Sequence, residues 1–93
     1  LSVDIMELIV DKFLAELNDQ LKTKKVLLTI SDALRTHLAK KGFDARYGAR
    51  PLSRLLQTEI KDQLSDEILF GKLVKGGEVH IGFSDGKLTF KYT

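Results

Sequence analysis

Three arginines, Arg46, Arg50 and Arg54, stand four residues apart in the middle of this chain. Arg50 directly precedes Pro51, the only proline in the sequence. Proline suits the first turn of a helix, where its missing N–H costs nothing, so a helix is predicted to start here. A helix start offers unpaired N–H groups and a partial positive charge. A guanidinium in that place is repelled unless something negative sits nearby. An anion such as phosphate would meet both needs, and arginine can hold it bidentately while always staying charged. Gly48 and Ala49 keep the approach sterically open. The alternative is an ion pair within the fold, with an acid such as Asp44 as the partner of Arg50. The residues alone leave both readings open. Arg46 and Arg54 fit surface or intersubunit salt bridges better than direct ligand contact; they are carried as candidates for intersubunit or anion contacts.

Other chemistry is poorly provided for. The chain has no cysteine, which excludes disulfides, Cys-ligated zinc, iron–sulfur clusters and thiol catalysis. His37 and His80 are distant in sequence, so no metal site is predicted. No G-x-x-x-x-G-K-S/T loop and no G-x-G-x-x-G occurs, so the chain carries no phosphate loop of its own. Gly76-Gly77 reads as a tight connection into a strand. No Ser–His–acid set is suggested by order or spacing. Asp66 and Glu67 read as the acidic start of a short helix, where the dipole explains them. No self-contained catalytic set is predicted.

These candidates must be positioned by a small fold. A sequence of 93 residues, 43% hydrophobic and 30% charged, suits one globular domain, here residues 1–93. No apolar run approaches the roughly 18 residues of a membrane span, and no signal peptide opens the chain. The absence of cysteine is compatible with a cytoplasmic protein. The first residue is Leu1 rather than Met, and helical periodicity begins within four residues of it. That pattern suggests a piece of a longer chain. Net charge is only +2, but residues 35–61 carry 7 basic and 2 acidic groups. The positive charge is therefore concentrated around the arginines.

The periodicity predicts a helix over 2–23, with Met6, Ile9, Val10, Phe13, Leu17 and Leu21 inward and Ser2 as its cap. Val26 to Ile30 is short, apolar and β-branched, which predicts a strand. Ser31-Asp32 then caps a second helix with Leu34 and Leu38 inward. Lys40-Lys41 occupy its last turn, and Gly42 is expected in the left-handed position after it. Residues 43–50 fit no regular pattern. The third helix carries Leu52, Leu55, Leu56, Ile60 and Leu64, and a separate short helical turn is expected from Ser65 to Phe70. Asp85-Gly86 is a strong two-residue turn signal. That turn pairs Ser84 with Lys87, Phe83 with Leu88, Ile81 with Phe90 and Val79 with Tyr92. One face is then wholly apolar, while the other carries Glu78, His80, Gly82, Thr89 and Lys91. The fold class expected is α+β: helices packed on a small three-stranded mixed sheet with a C-terminal hairpin. The first strand could lie beside either hairpin strand.

The run Gly42-Phe43-Asp44, then Tyr47-Gly48-Ala49-Arg50-Pro51-Leu52, then Arg54, resembles the sensor-2 region of Clp-type AAA+ ATPases. Leu64-Ser65-Asp66-Glu67-Ile68-Leu69-Phe70-Gly71-Lys72-Leu73, Gly76-Gly77 and the opening Val10-Asp11-Lys12-Phe13 with Glu16-Leu17 are similar to the same family. The resemblance covers nearly the whole chain. It is to the small C-terminal subdomain of the second ATPase module. Within the family, Ile68-Leu69-Phe70-Gly71 and the first helix are most similar to the ClpA-type unfoldases. ClpB-type disaggregases and ClpC-type unfoldases share the Gly-Ala-Arg-Pro region.

The resemblance implies that ATP or ADP with Mg²⁺ binds between this subdomain and a large AAA+ subdomain, with no tight binding by this chain alone. Arg50 matches the arginine that senses the terminal phosphates, and Gly48 and Ala49 would line the cleft. The implied partners are that large subdomain, neighbouring subunits of a hexameric ring, polypeptide substrates and the ClpP peptidase. The chain alone would not be an enzyme, and neither nucleic acid nor membrane is implied. Two readings of other classes compete: a small nucleic-acid-binding module using the basic segment, and a protein-interaction module using the first helix. Against the former, only Tyr47 stands among the arginines to stack on a base.

Overall fold

Ser2 opens the first helix as expected, its Oγ accepting from the Ile5 N–H at 3.2 Å. The computed structural model describes residues 2–44 and 46–93. Helix α1 spans Val3–Leu21 and buries Met6, Val10, Leu17 and Leu21. It tightens into a 3₁₀ turn, Lys22–Lys24, and stops at Lys25, whose φ of 59° is left-handed. Strand β1 is Val26–Ile30 and helix α2 is Asp32–Lys41. Ser31 caps α2 by accepting from the Leu34 N–H at 3.2 Å.

Gly42 differs from the expectation. Its φ is −81°, an ordinary right-handed value, so it does not supply a left-handed cap. The reason for glycine is space. A Cβ there would lie 2.7 Å from the Leu38 carbonyl oxygen and 2.8 Å from the Leu52 Cβ.

The helical segment after the loop is one continuous rod rather than a helix and a separate turn. Helix α3, Arg50–Leu55, runs into a π-helical stretch, Leu56–Lys61, and then into α4, Asp62–Phe70. Ser65 does not begin a new helix; its Oγ donates to the Lys61 carbonyl within the rod. Asp66 and Glu67 accordingly lie deep in α4, not at a helix start. The wide turn has a packing reason. Leu52, Leu56, Ile60 and Leu64 recur every fourth residue, and all four are buried. On a 3.6-residue helix each such step drifts by about 40°. A π turn holds more residues and counters the drift, keeping all four side chains on the core.

Strands β2, Gly77–Ser84, and β3, Lys87–Tyr92, form the C-terminal hairpin. The turn has φ of 52° at Asp85 and 75° at Gly86. The register is the one read from the sequence, from Ser84 with Lys87 to Val79 with Tyr92. Strand β1 pairs in parallel with β2, giving the order β1-β2-β3. The architecture is α+β, helices on a mixed three-stranded sheet. Val26, Leu28, Val79 and Ile81 face the core. On the other face His80 is exposed, with its Nδ1 2.8 Å from the Thr29 Oγ1.

Side-chain hydrogen bonds to β1 and α2 hold α1 in place. The Asn18 side chain pairs with the outer edge of β1 like a strand residue. Its Nδ2 donates to the Leu28 carbonyl at 2.9 Å and its Oδ1 accepts from the Leu28 N–H at 2.8 Å. Arg35 of α2 grips Asp11 of α1 through Nε at 2.9 Å and Nη2 at 2.7 Å. That hydrogen bonding raises the Arg35 pKa further above its ordinary value. Thr36 adds a hydrogen bond to Glu7 at 2.9 Å.

Asn18→Ala is expected to lower the unfolding free energy by about 1–3 kcal/mol, because both backbone groups of Leu28 lose their partner. Urea denaturation followed by circular dichroism checks it; an unchanged midpoint would mean that this edge is satisfied another way.

Candidate functional site

One aspartate shapes the loop between α2 and α3. The Asp44 Oδ1 accepts from the backbone N–H groups of Arg46 at 2.7 Å and Tyr47 at 3.0 Å. Asp44 and Gly48 also exchange backbone hydrogen bonds, at 2.8 and 2.7 Å. Aspartate favours such turns because its short side chain reaches the backbone a few residues on. The closure needs a left-handed residue at position 48, where φ is +65°, and glycine adopts this without a Cβ penalty. Ala45, within this loop, lies outside the described residues.

The loop then starts α3. The Arg50 N–H donates to the Tyr47 carbonyl at 3.3 Å and the Leu52 N–H to the Ala49 carbonyl at 3.1 Å. Pro51 has no N–H to give. The free donors expected at this helix start are thus already engaged at two positions and lacking at a third. An anion here would be held mainly by side chains.

Leu52 is 0% exposed and points into the core. Arg50 and Arg54, two residues before and after it, are turned about 200° away, toward solvent. Tyr47, Arg50, Pro51 and Arg54 line a hollow of about 380 Å³. Arg50 and Arg54 also border a more open hollow of about 500 Å³ with Ser53, Gln57 and Thr58. Arg46 is exposed on the loop and borders neither. Gly48 and Ala49 also lie outside both; Gly48 forms the turn and Ala49 packs against the core.

Among the described residues, no carboxylate stands at ion-pair distance from Arg46, Arg50 or Arg54. The Asp44–Arg50 pair weighed from the sequence is not made, since Asp44 binds its own loop. The rest of the basic segment is partly neutralised within the fold. Arg35 pairs with Asp11, Lys41 lies 3.8 Å from Glu59, and the Lys61 Nζ donates to Gln20. Two open guanidiniums beside an exposed tyrosine fit an anionic ligand such as a phosphate chain. Among the described residues, no group of three or more His, Cys, Asp or Glu could hold a metal ion. A divalent cation accompanying that anion would take its ligands from elsewhere.

A family model for the C-terminal, D2-small domain of ClpB protein matches residues 1–81. The chain belongs to this family. The D2-small match ends inside β2 and takes in the whole arginine corner. A ClpA homolog protein of Fuscovulum blasticum is 39% identical over 88 residues, covering 95% of this chain and 11% of that protein. The chaperone protein ClpB of Corynebacterium efficiens is 40% identical over 86 residues, covering 92% of this chain and 10% of that protein. The chaperone protein ClpB of Brucella suis matches equally, 40% over 86 residues. This D2-small domain thus spans about a tenth of the length of the curated relatives it matches.

Sequence reasoning missed Asn18 and Arg35. Glu7 and Asp11 are four apart and share a helix face, which hinted at a cationic partner. Nothing in the sequence placed Arg35 opposite them.

The two glycines of the corner are expected to fail differently. Gly48→Ala meets no atom within 4 Å, so its cost is conformational, about 1–2 kcal/mol for a left-handed alanine. Gly42→Ala is conformationally easy but drives its Cβ against the Leu38 carbonyl and the Leu52 Cβ, at about 1–3 kcal/mol. Thermal unfolding of both, beside Gly48→Asn and Gly42→Asn, separates them: asparagine tolerates the left-handed region, so it should recover stability only at position 48.

Proposed function

We propose that this D2-small domain is the nucleotide-sensing, ring-forming small subdomain of an ATP-driven Clp-type protein-remodelling machine. The observation that carries the reading is the pair of unpaired guanidiniums, Arg50 and Arg54, turned outward at a hydrogen-bonded corner. In this reading a large AAA+ subdomain supplies the other wall of the cleft, with the phosphate loop and the ligands for Mg²⁺. ATP supplies the phosphoryl group whose hydrolysis drives the machine. Arg50 binds the terminal phosphates and stabilises charge as it develops there, while transferring no proton. Gly48 and Ala49 line the adenosine side, the former by keeping the loop close-turned. Arg46 and Arg54 serve anion or intersubunit contacts.

The whole machine is then a cytoplasmic hexamer acting on polypeptides. The affinity of the Ile68-Leu69-Phe70-Gly71 run and the first helix with ClpA favours an unfoldase that feeds the ClpP peptidase. The relatives named ClpB are as similar in overall identity, 40% against 39%. A ClpB-type disaggregase is therefore the second reading. Among the described residues, no helix is long and apolar enough to cross a membrane.

Arg50→Ala in the full-length parent is expected to cut ATP turnover by on the order of a hundredfold. Because Arg50 is exposed, stability should change by no more than about 0.5 kcal/mol. Wild-type turnover in that variant would remove the sensor role. Mixing the parent with ClpP and an unfolded substrate separates the subfamilies. ATP-dependent degradation is the expected result; reactivation of aggregates with no degradation would assign the ClpB type.

A further inference from the structure

Asp44 is the one acid in the corner, and its geometry invites a role that its charge opposes. A carboxylate close to Arg50 weakens the attraction of any phosphate for this site. Its hydrogen bonds do the reverse. The Oδ1 holds the N–H groups of Arg46 and Tyr47, and the Asp44 backbone bridges Gly48 in both directions. The Tyr47 carbonyl then accepts from the Arg50 N–H at 3.3 Å. Asp44 is thereby linked to Arg50 through the backbone of Tyr47, not through the guanidinium. On the far side Leu52 is fixed against Gly42, where a Cβ would lie 2.8 Å away. The first turn of α3 is therefore clamped from both ends.

We infer that Asp44 is a positioning residue for the phosphate-binding arginine: it orders the loop that sets Arg50, and it does so as a hydrogen-bond acceptor rather than as a charge. This rests on the phosphate-sensing reading of Arg50 given above. Ordering the loop before the ligand arrives removes part of the entropy cost of binding.

The inference gives the two obvious substitutions opposite signs. Asp44→Asn keeps an acceptor oxygen and removes the charge. Asp44→Ala removes both. Nucleotide affinity is measured in the full-length parent by titration with a fluorescent ADP analogue, without reference to turnover. Amide hydrogen exchange at Arg46 and Tyr47 is measured in the same variants. Asp44→Ala should bind roughly tenfold more weakly and lose protection at both amides. Asp44→Asn should keep the protection and bind as well as wild type or better. If both variants bind more tightly, Asp44 acts only as a repelling charge and the inference falls. It falls equally if both weaken to the same extent or if neither changes. Should Asp44→Ala lose its fold, Asp44→Asn decides alone: retained affinity supports the inference and a loss overturns it. Arg50→Ala with unchanged ADP affinity and turnover would instead sink the phosphate-sensing reading, leaving the exchange result to report on the loop.

Discussion

Leu52 is the residue on which the arginine corner depends. It is wholly buried, and it lies against a glycine because nothing larger leaves room between the end of α2 and the start of α3. On a helix, burying one residue dictates what its neighbours at two positions either side must do. Arg50 and Arg54 are turned outward by that rule, and their spacing of four puts them on one face. The loop before them has its own closure, made by Asp44 and the left-handed Gly48. A hydrophobic contact and a small polar turn together hold two cations in the open.

The rest of the fold keeps those cations from being neutralised. Of the other two arginines, Arg46 is exposed on the loop and Arg35 is used inside the fold. Arg35 is committed to Asp11 and Glu7, which joins α2 to α1. Glu59 lies toward Lys41, and Asp44 is held by backbone amides. Asp44 and Glu59, the two acids of the basic segment, are thus engaged elsewhere. Asn18 closes the outer edge of β1, leaving the sheet with one covered edge strand. The open charge at the corner follows from how the acids are distributed, as much as from the arginines themselves.

The helical rod shows how a four-residue repeat can be misread. Leu52, Leu55, Leu56, Ile60 and Leu64 predicted an inward stripe; four of the five are buried, and Leu55 is half-buried against the core. A separate turn from Ser65 was expected, and the drift of an ordinary helix would carry such a four-residue repeat off the core. A π turn resolves the conflict without a break, and it leaves Asp66 and Glu67 in mid-helix. Gly42 is a similar case. A glycine after a helix usually signals a left-handed cap, whereas here it marks a close approach between helices that sequence spacing cannot reveal.

Local rules determined much of this protein from its sequence. The caps at Ser2 and Ser31, strand β1, and the Asp85-Gly86 hairpin with its register depend on residues a few positions apart, so they were legible. The Gly-Ala-Arg-Pro stretch was legible for the same reason, and it marked the family. Tertiary structure alone decided the rest. It placed β1 beside β2 rather than β3, put Arg35 on Asp11 and Asn18 on Leu28, and left Arg50 without Asp44. Each of these joins residues distant in sequence or chooses among competing partners. Such choices are set by how one core is filled, and that is a property of the whole chain.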